Sequence, residues 1–228
     1  EEKFRETIIR CFDFIGGNDA LVTLGMKPTR PETGYGYIQF GEANGESIYE
    51  VKAFTEKPNL EVAKKFVESG DFLWNSGIFI WTLRSIESAL CDHMPELLGK
   101  FAKGESVMGT EAEEAFIQEM FPTCPSISID YGLMEHAKNV YVLPSDFGWS
   151  DLGTWGSLHV QMEKDLMGNV SIGNNISLYE SRNCVVHTTE EKKVVIIGLD
   201  GYIVAEKDNQ LLICKLDDEQ RIKEFSDK

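Results

Sequence analysis

The sequence predicts an α/β domain followed by a small all-β domain, and two changes of pattern along the chain carry that reading. Up to about residue 166, amphipathic helical periods alternate with short apolar runs of strand length, the grammar of a layered α/β architecture. From 167 to 216 the helical period disappears. Gly168-Asn169-Val170-Ser171-Ile172-Gly173-Asn174-Asn175-Ile176 and the later runs are short apolar steps punctuated by Gly and Asn. They read as strands wound in short coils, a β-helix-like unit. The expected domains are therefore 1–166 and 167–228.

Residues 3–15 place Phe4, Ile8, Cys11, Phe12 and Ile15 on one helical face, and Gly16-Gly17 stops the helix. Leu21-Val22-Thr23-Leu24 is a short buried strand, followed by the polar turn Lys27 to Gly34 and a strand from Tyr35 to Phe40. Asn44-Gly45 is a hairpin turn leading into the strand 49–54. Asn59 caps a helix over 60–69 whose inward face is Val62, Phe66 and Val67, and Gly70 ends it. The continuous run Ile78-Phe79-Ile80-Trp81 suits a strand covered on both faces. Helices are expected at 83–92 on Leu83, Ile86 and Leu90, then near 95–103, at 111–121, and as a short piece at 130–138. A strand at 140–143 precedes a helix presenting Leu152, Trp155, Leu158 and Met162. After the β region, the charged tail near 217–226 is helical.

A formal charge of −16 over 228 residues argues against nucleic-acid binding, because such a surface repels a polyphosphate. No apolar run approaches the roughly 20 residues of a membrane span. The N-terminal residues lack the basic and apolar regions of a secretory signal. Five cysteines, an odd number with no C-x-x-C pair, fit reduced thiols in a cytoplasm better than a disulfide framework or a zinc site. The chain begins at Glu1 without an initiator Met, and no glycine-rich loop links a strand to a helix as a phosphate cradle would. The missing loop, with an α/β sheet short of strands for a complete doubly wound domain, suggests a chain missing its front half.

Four segments carry chemistry, each with a plainer reading beside it. In Gly34-Tyr35-Gly36-Tyr37 the glycines admit close backbone approach to a ligand and the tyrosines offer flat faces with polar tips; they equally fit a glycine-bent strand entry. Glu56-Lys57 stands where a strand meets Pro58. Its carboxylate can accept from sugar hydroxyls and its ammonium can neutralise a phosphate, or the two form a solvated pair. Asn75-Ser76-Gly77 is either a turn or a two-way hydrogen-bonding amide with a glycine permitting close approach. The stretch from Phe147 to Trp155 sets Asp151 between tryptophans and glycines at what reads as the mouth of a helix. A carboxylate there can hold a divalent metal against phosphate oxygens. Ser150 or Asp151 can also be the helix N-cap.

Taken in order, and with Lys27-Pro28-Thr29-Arg30-Pro31-Glu32-Thr33 before them, these segments resemble the mannose-1-phosphate guanylyltransferases of the sugar-nucleotidyltransferase family. The resemblance runs from about residue 1 to 156 and more loosely through the β region. It implies that residues 1–166 are the sugar-phosphate-binding, C-terminal part of a Rossmann-like nucleotidyltransferase domain with a mixed sheet, lacking the N-terminal nucleotide-binding half. It implies that Tyr35 and Gly36 contact the sugar, that Glu56 and Lys57 take its hydroxyls and phosphate, and that Asn75 and Gly77 lie at the mannose. Asp151 is implied as one of two aspartates holding the catalytic Mg2+; Lys57 and Asp151 are then the catalytic residues. All these loops are expected to converge around one hexose phosphate.

The implied reaction joins GTP and mannose-1-phosphate to give GDP-mannose and pyrophosphate, with no covalent enzyme intermediate. The expected partners are those two substrates, with no nucleic acid and no membrane, and a homodimer is open. The isolated chain is expected to be inactive, and a fused isomerase is not expected, since the sequence ends at Lys228. Two other readings stand beside this one. They are a uridylyl- or thymidylyltransferase acting on glucose-1-phosphate, and a non-catalytic regulatory paralogue that binds a sugar nucleotide.

Overall fold

A computed structural model of the chain describes residues 1–43, 47–189 and 192–226. The chain divides into two units, Glu1–Trp149 and Ser150–Lys228. The Asn44-Gly45 hairpin turn lies outside the described residues.

The first unit opens with helix α1 (Glu2–Gly17), whose buried stripe is Cys11, Phe14 and Ile15. Phe12, expected inward, is exposed because the stripe turns toward Phe14. Five strands follow, broken by helices: β1 (Leu21–Met26), β2 (Tyr37–Ala43), β3 (Tyr49–Thr55), α2 (Leu60–Ser69) and β4 (Phe72–Trp81). Then come α3 (Leu83–His93), α4 (Pro95–Ala102), α5 (Glu113–Met120) and β5 (Val140–Ser145). The ladder runs β1-β4-β2-β3-β5 and closes on itself. β1 pairs with β5 in parallel and with β4 antiparallel, so the sheet is mixed, as expected.

Short-range chemistry placed α2 well. Asn59 accepts from the Val62 N–H at 3.0 Å, and Gly70 ends the helix at φ 78°. Two expectations for this unit change. The 130–138 helix is a five-residue π-helical turn at Asp130–Met134. The 78–81 run is only part of β4, which starts at Phe72 and takes in Trp74, Asn75 and Gly77; of its last four residues only Ile80 is buried, so the strand is not covered on both faces there.

The second unit holds α6 (Trp155–Gln161) and the β coils. Strands β6 (Val170–Ile172), β8 (Val185–His187) and β10 (Tyr202–Lys207) stack in parallel. Strands β7 (Ile176–Tyr179) and β9 (Val194–Ile197) stack in parallel as a second pair, and β11 (Gln210–Lys215) returns antiparallel to β10. This is the winding that the short Gly- and Asn-bounded steps anticipate. Asn169, buried, ties successive coils: its amide donates to the Ser181 carbonyl at 2.9 Å and accepts from the Cys184 N–H at 3.0 Å. The tail is a 3₁₀ stretch (Leu216–Ile222) and a last turn α7 (Lys223–Ser226).

The sequence boundary at 166/167 falls inside this second unit. Helix α6 belongs with the coils, since the Gly156 N–H donates to Glu219 at 2.8 Å and the His159 ring meets the Gly168 carbonyl at 2.8 Å. The helix itself is shorter than its apolar period suggests, leaving Leu152 and Met162 exposed.

All five cysteines are unpaired, and burial pushes the Cys11 thiol up to about 11. Among the described residues no helix is long and apolar enough to cross a membrane.

Candidate functional site

Strand register builds the site in the first unit. β2 and β3 pair antiparallel with Tyr37 opposite Thr55, so one step further Gly36 faces Glu56. β2 and β4 pair with Tyr37 opposite Trp74, so the same step sets Gly36 against Asn75, whose N–H donates to the Gly36 carbonyl at 2.8 Å. Three predicted residues thus meet: Gly36 just before β2, Glu56 just after β3, and Asn75 within β4.

The fit is close. A Cβ added at Gly36 would stand 2.3 Å from Glu56 Oε2 and 3.2 Å from the Asn75 Cβ. That space is a cradle only glycine leaves open, since real Cβ atoms do not approach within 3.0 Å. Tyr35, one residue earlier, is buried and meets Trp74 and Trp149 edge-on, with ring centroids 5.1 and 5.5 Å apart. It supports the cradle from the core side. Arg30 lies over the Trp74 ring at 5.5 Å and pairs with buried Glu32 at 3.1 Å.

Gly77 has a different demand. Between Thr23↔Phe79 and Gly25↔Asn75 the β1–β4 register slips, so Ser76, Gly77 and Ile78 oppose Leu24 alone. This is a β-bulge, and Gly77 takes φ 72° within it. A Cβ at Gly77 meets nothing within 4 Å, so the glycine answers to backbone conformation rather than to crowding by the protein. The bulge folds back on Asn75: the Gly77 N–H donates to Asn75 Oδ1 at 3.2 Å.

Glu56 is the chemically unusual member. Its side chain is only 8% exposed, Oε1 pairs with the Lys57 ammonium at 2.9 Å, and Oε2 has no hydrogen-bond partner among the described residues. A buried carboxylate oxygen without a donor is costly and calls for a ligand donor. Burial pushes the Glu56 carboxyl above its ordinary value, opposed by Lys57 and reinforced by Asp130 and Glu135. Lys57 is half exposed at the rim, with its pKa raised chiefly by the Glu56 hydrogen bond. Its backbone is in the left-handed region, φ 48°, and its N–H donates to the Tyr35 carbonyl at 3.2 Å. A strained backbone held in place by its neighbours is a recurring mark of functional sites.

Sequence reasoning missed four neighbours. Thr23 donates to Asn75 Oδ1 at 3.0 Å, and Asp130 accepts from Asn75 Nδ2 at 2.9 Å. Glu135 accepts from the Glu56 N–H at 3.3 Å, and the Tyr131 hydroxyl reaches the Glu56 carbonyl at 3.5 Å. Nothing local marks them; they become visible only as partners of Glu56 and Asn75.

Asp151 belongs to the second unit. It does not cap α6, whose N-cap is Thr154 in a reciprocal capping box with Ser157. Asp151 Oδ1 accepts the Gly153 N–H at 2.8 Å, and Oδ2 takes no hydrogen bond among the described residues. The half-buried carboxylate thus fits as one ligand of a hard cation. Among the described residues no group of three or more Asp, Glu, His or Cys could hold a metal, so Asp151 is at most part of a donor set.

The raised Glu56 pKa has a consequence for stability. A carboxyl whose folded pKa exceeds its ordinary 4.5 binds more proton when folded, so stability falls as pH climbs from the ordinary value through the folded one. Thermal melts at stepped pH are expected to show Glu56→Gln gaining on the wild type as pH rises from about 4.5 toward neutrality. A constant difference between the two across that range would mean that the carboxylate is not held at a cost.

Comparison with known proteins also divides the chain in two, but between residues 167 and 173. The model of the nucleotidyl transferase family matches residues 6–167, and that of a MannoseP isomerase/GMP-like β-helix domain matches residues 173–228. The chain is similar to a mannose-1-phosphate guanylyltransferase of Sinorhizobium fredii, 39% identical over 207 residues, covering 89% of this chain and 39% of that protein. It is likewise similar to one of Salmonella muenchen, 36% identical over 231 residues, covering 100% of this chain and 48% of that protein. Among solved structures it is similar to mannose-1-phosphate geranyltransferase from Thermus thermophilus. There the TM-score is 0.80 at 30% identity, over 98% of this chain and 64% of that one. The chain therefore spans about half the length of the curated relatives it matches.

Proposed function

We propose that this chain, which belongs to the nucleotidyl transferase family, serves guanylyl transfer from GTP to mannose-1-phosphate, giving GDP-mannose and pyrophosphate. The observation that carries the reading is the cradle at Gly36. A buried, unpartnered carboxylate oxygen faces the space beside an amide, with an ammonium at the rim. That combination suits a hydroxyl-rich ring bearing a phosphate. The names of the relatives favour mannose as the ring and guanine as the base.

In this reading Glu56 Oε2 accepts from a sugar hydroxyl and so gains the donor it lacks. The Lys57 ammonium at the rim neutralises the 1-phosphate. Such neutralisation matters more on a chain of charge −16, whose field opposes any polyanion. An oxygen of the sugar phosphate attacks the α-phosphorus of GTP in line. The new P–O bond forms as the bond to the β-phosphate oxygen breaks, and the electron pair leaves with pyrophosphate. Positioning and charge neutralisation supply the rate, with no covalent intermediate on the protein. Asp151 would give one carboxylate oxygen to Mg2+, whose contribution when bound is to neutralise phosphate charge.

Pyrophosphate release by the whole natural protein, measured against each substrate in turn, tests the reading. Lys57→Ala is expected to raise KM for mannose-1-phosphate by about tenfold or more, the scale of one charge-assisted hydrogen bond, with little change for GTP. Equal weakening of both substrates would remove Lys57 from the sugar phosphate. No GTP-dependent release by the wild type would overturn the proposed activity itself. The 228-residue chain alone, expected to be inactive, sets the baseline.

A further inference from the structure

We infer that Asp130, assisted by Thr23, is a positioning residue that locks the Asn75 amide as a hydrogen-bond donor opposite the Glu56 acceptor, so that the pair selects one particular hydroxyl of the sugar. The inference rests on the proposed sugar-phosphate reading of the same cradle. The orientation of Asn75 follows from its neighbours alone. Its Oδ1 faces two donors, the Thr23 hydroxyl at 3.0 Å and the Gly77 N–H at 3.2 Å. Its Nδ2 faces the Asp130 carboxylate at 2.9 Å. A backbone N–H can only donate and a carboxylate can only accept, so the reversed amide would put donor against donor on one side and acceptor against acceptor on the other.

Oδ1 is taken by the Gly77 N–H and by the Thr23 hydroxyl, which also approaches the Ile78 carbonyl at 3.2 Å, so Asn75 has little acceptor capacity left to offer. What remains is its second N–H, which takes no hydrogen bond among the described residues. Across the same space stands Glu56 Oε2, buried, acceptor-only and unpartnered. Both side chains border the volume a Gly36 Cβ would fill, Glu56 through Oε2 at 2.3 Å and Asn75 through its Cβ at 3.2 Å. A hydroxyl accepts and donates at once, so a single hydroxyl can bridge Asn75 to Glu56. Asn75 is therefore a one-way donor rather than the two-way group its residue type permits. Asp130 reaches the ligand only through Asn75, and Thr23 closes the other side of the amide.

The consequence is a specificity filter. A site built to pair with a hydroxyl rejects an analogue lacking it far more strongly than an apolar pocket rejects a missing methylene. The test uses the whole natural protein with mannose-1-phosphate and its 2-, 3- and 4-deoxy analogues, reading kcat/KM for each. In the wild type one analogue is expected to fall by about 10²-fold or more relative to the parent. In Asp130→Ala that ratio is expected to shrink to about tenfold or less, because Nδ2 loses its anchor and, pivoting on the Oδ1 bonds, no longer aims its donor. Asp130→Asn, which can still present a carbonyl oxygen to Nδ2, is expected to keep most of the wild-type ratio.

The ratio compares two substrates on one folded protein, so a merely structural loss would lower both kcat/KM values and leave it unmoved. A full wild-type ratio in Asp130→Ala would overturn the inference. So would Asp130→Asn losing discrimination as completely as alanine, since charge rather than the hydrogen bond would then be the active property. A wild type indifferent to all three deoxy analogues overturns it too. No turnover of the parent sugar phosphate by the wild type would instead overturn the proposed function beneath it.

Discussion

Asp151→Asn in the whole natural protein is expected to cut kcat by about 10²–10³-fold, the scale of losing one preorganised electrostatic partner of a transition state, while mannose-1-phosphate binding and the melting temperature change little. The reason lies in how the two carboxylate oxygens are used. Oδ1 holds the Gly153 N–H at 2.8 Å, fixing the turn that leads into α6, and an asparagine carbonyl accepts that bond equally well. Oδ2 takes no hydrogen bond among the described residues, and only there does asparagine replace a charged acceptor by an amide N–H₂. The substitution therefore keeps the local fold and removes one anionic oxygen. If that oxygen serves a cation that neutralises charge most fully at the transition state, kcat falls more than binding does. Steady-state kinetics over a range of Mg2+ concentration, beside a thermal melt, makes the measurement. Unchanged kcat would take Asp151 out of the reaction.

Gly36→Ala is the second large effect. Gly36 is not among the positive-φ residues, so its backbone tolerates alanine; the conflict is one of space. The new methyl would stand 2.3 Å from Glu56 Oε2 and 3.2 Å from the Asn75 Cβ, both too near. The Asn75 Cβ need give only a few tenths of an ångström, whereas Glu56 Oε2, the end of a flexible side chain, must move away. Glu56 is anchored by Lys57 at 2.9 Å and Asn75 by Thr23, Gly77 and Asp130. Relief requires Glu56 to swing away, which breaks the ion pair and withdraws the orphan acceptor. Overpacking of this kind costs about 1–3 kcal/mol of stability, and a displacement near 1 Å in a positioning group costs about 10² in rate. The expected result is at least about a 10²-fold loss in kcat/KM for the sugar phosphate, with the GTP dependence retained. Gly77→Ala is the useful contrast. Its penalty is conformational, at φ 72° with open space around the Cβ, so it should lower stability more than it alters choice of sugar. A Gly36→Ala protein with wild-type kcat/KM would show that the cradle receives no ligand.

Elements were legible where a few adjacent residues settle the matter. The Asn59 cap and Gly70 stop define α2, and the step from helical period to Gly- and Asn-bounded strands announces the coils beyond residue 167. Reading failed where distant residues decide. The β4 bulge at Ser76-Gly77-Ile78 reads as a turn until β1 lies beside it. The short helix at Asp130 became a π-helical turn, which no local period foretells. Burial departs from expectation for the same reason: α6 has ordinary apolar spacing, but its packing partners come from Gly168 and Glu219.

The site divides in the same way. Sequence alone determined which residue types could hold a hexose phosphate, namely Gly36, Glu56, Lys57 and Asn75, because donor, acceptor and charge are properties of side chains whatever surrounds them. The state of each was decided by the tertiary structure. Pairing of β2 with both β3 and β4 brings Glu56 and Asn75 to either side of Gly36, burial leaves Glu56 Oε2 without a partner, and Thr23 and Asp130 fix the Asn75 amide. Those two partners lie 52 and 55 residues away along the chain. Orientation and desolvation are set by whatever sits within a few ångströms, and strand pairing, not sequence proximity, chooses those neighbours.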